Sequence, residues 1–173
     1  MEELGANWQE ACAKWSEVAD SLTEEELAMA SNCPGWSVGD IHEHATEGAL
    51  KTAQALGMDV DENTDWDTLR VKVYEALQNP ENLDETLEQF GGLTRGAVSG
   101  LLVSDLLIHS WDLAKTLGKD QELPKKATSA ALFGLKGMDD SLLRGKGMFG
   151  PSIDVLDDAS EQQQLLAFTG RIA

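Results

Sequence analysis

The sequence predicts an all-α protein built as a helical bundle, and three observations carry that prediction. Apolar residues recur at steps of three and four through most of the chain, the spacing that lines one face of a helix. Capping signals and proline or glycine breaks fall between those stretches. No stretch alternates with period two for long enough to make a sheet. With 173 residues and no repeat, low-complexity tract or linker, the expectation is one domain over residues 1–173 with a substantial core.

Leu4, Trp8, Ala11, Cys12, Trp15, Val18 and Leu22 mark a first amphipathic helix over residues 4–21. Thr23 with Glu26 has capping-box spacing and opens a short second piece. It ends before Cys33-Pro34-Gly35-Trp36, where proline and glycine break the helix and Trp36 is expected to plug the bundle end. Ser37 with Asp40 repeats the box ahead of a helix through Ile41, Ala45, Ala49, Ala53 and Leu56, which carries His42, His44 and Glu47. Residues 64–67 cap a helix through Leu69, Val71, Val73 and Leu77 that ends near Asn79-Pro80. Residues 82–90 read as a short helical turn stopped by Gly91-Gly92. The longest helix runs over about residues 94–117, with Gly118 placed for a left-handed cap and Lys115 suited to the dipole. Pro124 fits the first position of a helix through Ala127, Ala131, Leu132, Leu135 and Leu142. Residues 145–151 form a loop, 153–155 are extended, and 159–168 make a last short helix.

Thirteen basic against thirty-one acidic residues give a net charge of -18. Nucleic acid and anionic membranes both need a cationic footprint, so neither is expected as a partner. No apolar run approaches the roughly 18–20 residues of a membrane span. The N-terminal residues lack a basic segment followed by an apolar one, so no secretory signal is read. Cys12 and Cys33 form no CxxC pair and read as two reduced thiols of a cytoplasmic protein, with a ligand or nucleophile at Cys33 as the alternative.

The chemistry is expected on the longest helix. Leu101, Leu102, Asp105, Leu106, His109, Leu113 and Leu117 share one side of it, placing an acid and an imidazole four residues apart within an apolar stripe. Buried, both need a partner or a metal. The other histidines, His42 and His44, are two apart and point about 200° from one another on a helix. One of them can join Asp105 and His109, and spacing alone leaves open which. Two imidazoles and a carboxylate would make a three-ligand site with an open position. There is no GxSxG or GxxxxGK[ST], and no GxGxxG follows a strand. Gly145, Gly147 and Gly150 follow no strand and read as a loop.

The stretch from Cys33-Pro34-Gly35-Trp36-Ser37-Val38 to Asp40-Ile41-His42-Glu43-His44 resembles a CPGW(T/S)VxDLxxH motif, and His109 to Gly118 is similar to HxWDLAxxxG. Met148-Phe149-Gly150-Pro151 and Leu165 to Arg171 resemble an FGP…LLAxxGR ending. By these motifs the chain resembles the metal-binding helical bundles related to mycothiol-dependent maleylpyruvate isomerase, in the DinB-like superfamily. That resemblance implies an up-and-down four-helix bundle, often dimeric, and a divalent metal, typically zinc. It places the ligand histidines at His44 and His109 and the acidic ligand at Asp105, where the isomerase carries glutamate. The isomerase also has a C-terminal domain that contributes to its active site. For this chain the expectation is therefore thiol transfer or thiol-assisted isomerisation of a small electrophile, with a low-molecular-weight thiol such as mycothiol as cosubstrate.

Asp112, three residues after His109, is placed to accept a ring N–H from it, or else is a surface carboxylate. Trp111 is expected in the core. Arg95, Arg144 and Arg171 are either exposed or available to a substrate carboxylate. A non-catalytic metal-binding or stress-related bundle is the alternative function, and a metal-free bundle with Asp105 and His109 hydrogen-bonded together is the third reading.

Overall fold

The computed structural model describes residues 2–79, 83–145 and 148–173, and the fold is all-α apart from one minimal hairpin. Its helices are α1 (Glu2–Ala19), α2 (Glu24–Leu27), α3 (Val38–Ala55), α4 (Trp66–Leu77), α5 (Arg95–Leu117), α6 (Lys125–Lys136), α7 (Asp140–Arg144) and α8 (Glu161–Phe168). The caps follow the sequence signals closely. Thr23 and Ser37 both close full capping boxes with Glu26 and Asp40. At Ser37 the hydroxyl accepts from the Asp40 amide at 3.1 Å and the Ser37 amide donates to Asp40 Oδ2 at 2.7 Å. Thr94 caps α5, and Gly118 ends it at φ 66°, a left-handed conformation that glycine takes without a Cβ clash.

Several boundaries differ from expectation. Asp65 caps α4 by accepting from the Thr68 amide at 2.9 Å, while Thr64 turns back to Asp61. Val71 points outward from α4 and is exposed. Pro124 stands at the cap position rather than inside α6, so the helix starts at Lys125. It stops at Lys136 instead of continuing through Leu142, because Gly137 is a poor helix former and Asp139 caps the separate α7. The segment expected as a helical turn forms two-residue strands, β1 (Thr86–Leu87) and β2 (Leu93–Thr94), paired antiparallel around one 3-10 turn. Gly91 and Gly92 supply the positive φ angles of that bend. Asn82, Pro80, Lys146 and Gly147, which entered the sequence reading, lie outside the described residues. Ile153 is extended without joining a strand, its amide donating to Ala167 O at 2.9 Å.

Helix α5 lies at the centre, against α1, α3 and α6, with α4 resting on α1 and α3, and α8 on α6. One apolar cluster runs through these helices, with Trp8, Trp15, Ile41, Leu106, Trp111 and Leu165 among its fully buried side chains. From Leu102 to Ala114 every residue of α5 is buried except Asp105. Its burial is therefore on nearly all faces rather than along one stripe. By length and mean hydropathy (1.2 over its most apolar window) α5 does reach what a membrane span needs, against the sequence expectation, yet 78% of that window is buried inside the protein. Burial all round is also what the core helix of a larger domain requires.

Candidate metal centre

Helices α3 and α5 bring His44, Asp105 and His109 together. His44 Nε2 stands 3.3 Å from Asp105 Oδ2, and His109 Nε2 stands 3.5 Å from Asp105 Oδ1. One ligand atom from each of the three lies within 4.8 Å of the others. The side chains grade from buried to open: His109 is 8% exposed, Asp105 23% and His44 45%. The cluster thus faces solvent on the His44 side. His42, on the other flank of α3, lies 5.8 Å from the Trp15 ring and takes no part, which resolves the choice that spacing left open. Burial of His42 lowers its pKa, disfavouring a charge there.

Behind His109 sits a second cluster, built around a fully buried carboxylate. Asp112 is 0% exposed, so it is no surface carboxylate. Its Oδ2 lies 3.0 Å from His109 Nδ1, 3.0 Å from Arg171 Nη2 and 3.2 Å from Cys33 Sγ, while Oδ1 accepts from Asn32 Nδ2 at 2.9 Å. Burial would raise the Asp112 pKa, but the His109 hydrogen bond and the Arg171 charge outweigh it and hold the carboxyl well below the usual carboxylate range. Burial, with the Asp112 charge beside it, pushes the Cys33 thiol up to about 12. Cys33 therefore stays protonated and serves as a donor to Asp112.

The anchoring of His109 dictates what its other nitrogen can do. With the ring proton on Nδ1 facing Asp112, Nε2 presents a lone pair towards the Asp105 carboxylate. Two acceptors 3.5 Å apart call for a cation between them, either a proton or a metal ion. In a tetrahedral site with bonds of about 2.0–2.1 Å, adjacent ligand atoms stand about 3.3–3.4 Å apart. The two measured separations are of that length, although they end on different Asp105 oxygens, and with one ligand atom of each residue within 4.8 Å of the others the set fits the divalent metal that the family resemblance implies. The proton alternative is written in the same geometry. The Asp105 hydrogen bond, working against partial burial, raises the His44 pKa. Burial of Asp105 is outweighed by the His109 charge and the His44 hydrogen bond, so its pKa falls.

Trp36 does not plug a bundle end. Its ring stacks on His109 (5.9 Å between centroids, 17° between planes) and meets His44 edge-on at 5.0 Å, making it the wall of the exposed side. The loop that carries it is pinned by the antiparallel bridge between Ala30 and Ser37. None of the three arginines is a free surface cation. Arg171 is bound to Asp112, Arg95 Nη1 pairs with Glu85 at 3.2 Å, and Arg144 Nε pairs with Asp140 at 2.6 Å. Trp111 is in the core as expected. Sequence reasoning missed Asn32 as a partner of Asp112 and gave Arg171 a different role. The only signals were the motifs around them, because the contacts join residues 59 to 138 positions apart.

Residues 8–91 match the family described as the mycothiol maleylpyruvate isomerase N-terminal domain. The match includes Cys33, Trp36 and His44 and stops short of α5. Uncharacterized proteins from two strains of Mycobacterium tuberculosis are each 23% identical over 160 residues, covering 87% of this chain and 88% of their own length. No solved structure matches the chain. The motifs and the matched segment point the same way: residues 8–91 of this chain are similar to the mycothiol maleylpyruvate isomerase N-terminal domain family.

Proposed function

We propose that this chain binds a divalent metal, zinc first among candidates, through His44, Asp105 and His109, and acts as a thiol-dependent transferase or isomerase on a small electrophile. The observation that carries this reading is the convergence of two Nε2 atoms on Asp105, with Asp112 anchoring His109 from behind. A divalent ion held by three protein ligands supplies an open position at which a thiol loses its proton more readily. The chain's own residues would do the rest. Asp112, kept ionised by Arg171, holds the His109 proton on Nδ1 and so keeps Nε2 free as a ligand. His44 leaves the open side accessible, and Trp36 offers an apolar wall against which a cosubstrate can rest. The family description supports mycothiol, or a thiol like it, as that cosubstrate. A single domain, a cytoplasmic setting and a homodimer complete the reading.

Metal binding without catalysis, as in a stress-related bundle, is the second reading. It is favoured by the engagement of every acid and base touching the ligands: Asp112 is ringed by donors, and Cys33 is held protonated.

The test combines metal analysis of the purified protein with a thiol titration followed by the visible absorption of its cobalt-substituted form. Near-stoichiometric metal, lost in His44→Ala and His109→Ala, together with a saturable thiol-dependent band, is the expected result. Metal without any thiol response would transfer the case to the second reading. A wild-type protein that neither carries nor takes up a divalent ion would overturn both.

A further inference from the structure

We propose that the cavity between α1, α5 and α6 is a separate ligand site, for a neutral, hydrocarbon-rich molecule bearing one carbonyl or hydroxyl group. The cavity holds about 290 Å³ and is walled chiefly by Leu4, Leu101, Leu135 and Met138. A void of about 150 Å³ lined by aliphatic residues accepts benzene. This one therefore accommodates roughly twelve heavy atoms by the same scaling. None of the metal-centre residues lines it, so the proposal stands apart from the function proposed above.

Two independent features point to an occupant. Asn7 lines the cavity, is only 8% exposed, and its side chain has no hydrogen-bond partner among the described residues. With no protein partner the amide is left to water, and a bound carbonyl or hydroxyl would take that water's place. The second feature is the pair of glycines on the cavity wall, Gly100 in α5 and Gly134 at the mouth on α6. Glycine disfavours a helix interior more than any residue except proline, so it usually marks a close approach. Gly96 is such a case, since a Cβ there would sit 3.3 Å from Leu83 O. A Cβ on Gly100 or Gly134 would meet nothing within 4 Å. These two glycines keep space open rather than allowing helices to touch. The chemical class follows from the lining, which includes no Asp, Glu, Lys, Arg or His. An ion would be left unpaired there, while an apolar body with one polar group is matched.

The test uses 1-naphthol and naphthalene as probes on the full chain, with binding measured by equilibrium dialysis. Wild type should bind 1-naphthol saturably at one site per chain. Asn7→Leu should weaken 1-naphthol about tenfold, the worth of one hydrogen bond, and leave naphthalene unchanged. Gly100→Leu should abolish binding of both while leaving the circular dichroism spectrum and metal content as in wild type. If that variant does not fold, Gly134→Leu at the mouth serves the same purpose. Absence of saturable 1-naphthol binding to wild type would overturn the proposal. So would undiminished binding in a folded, cavity-filled variant, or an equal loss of both probes in Asn7→Leu.

Discussion

Replacing Asp112 by asparagine changes almost no volume, yet it should be among the most damaging single substitutions in the chain. The carboxylate is fully buried and receives Asn32, Cys33, His109 and Arg171 around two oxygens. Arg171 is itself largely enclosed, its side chain 16% exposed. Summing charge-assisted hydrogen bonds at about 1.5–3 kcal/mol each would overstate the loss, because the amide oxygen still accepts from one or two donors. Breaking a buried ion pair by neutralising one member costs about 3–5 kcal/mol, and that is the expected destabilisation. At about 2–4 °C per kcal/mol for a chain of this size, the melting temperature of the metal-free protein should fall by about 6–20 °C. Urea denaturation of Asp112→Asn, Arg171→Met and the two substitutions together measures the coupling. The double variant should recover much of the loss, since it leaves no unpaired charge behind. A single variant within about 1 kcal/mol of wild type, or a double variant no better than Asp112→Asn, would refute the argument.

Asp105→Glu should leave divalent-metal affinity unchanged or weaker in a competition titration, because the aspartate already stands 3.3 and 3.5 Å from the two imidazoles and a longer arm overshoots. Tightening by tenfold would show that the shorter acid is the handicap. Cobalt addition should quench tryptophan emission, and Trp36→Phe should remove most of that quench, since Trp36 alone among the tryptophans touches both His44 and His109. Asp40 should titrate below the ordinary aspartate value by carboxyl NMR, chiefly because the Ser37 backbone amide donates to it. With the folded pKa below the unfolded one, its contribution to stability is full above about pH 4 and fades as pH falls through the folded value. A midpoint at or above the model-peptide value would contradict the capping box.

Periodicity and caps made most helices legible because both are local: Thr23, Ser37 and Thr94 bond to amides three residues on. The hairpin was not legible, since two-residue strands are too short to show alternation. The break between α6 and α7 was hidden by Leu135 and Leu142, which keep helical spacing across Gly137 and Asp139. At the site, the spacing of Asp105 and His109 announced a shared face, but spacing could not separate His42 from His44; the motif resemblance pointed to His44, and the packing of α3 on α5 brings that residue to Asp105. The setting of Asp112 was least legible. Its partners come from the loop before Trp36 and from Arg171, and no short-range pattern records a contact made across 59 or 80 residues.

The polar residues of α5 carry a consequence for the chain before it folds. The helix reaches a mean hydropathy of 1.2 over its most apolar window, and until the chain folds no neighbouring helix covers it. An aspartate near the middle of a translocating segment opposes bilayer insertion by about 2.5–3.5 kcal/mol, so Asp105 supplies that much and Asp112, nearer the end of α5, adds to it. Leucine at both positions would turn the segment into a plausible stop-transfer sequence. The carboxylates that organise the histidines thus also raise the cost of membrane insertion for the nascent helix.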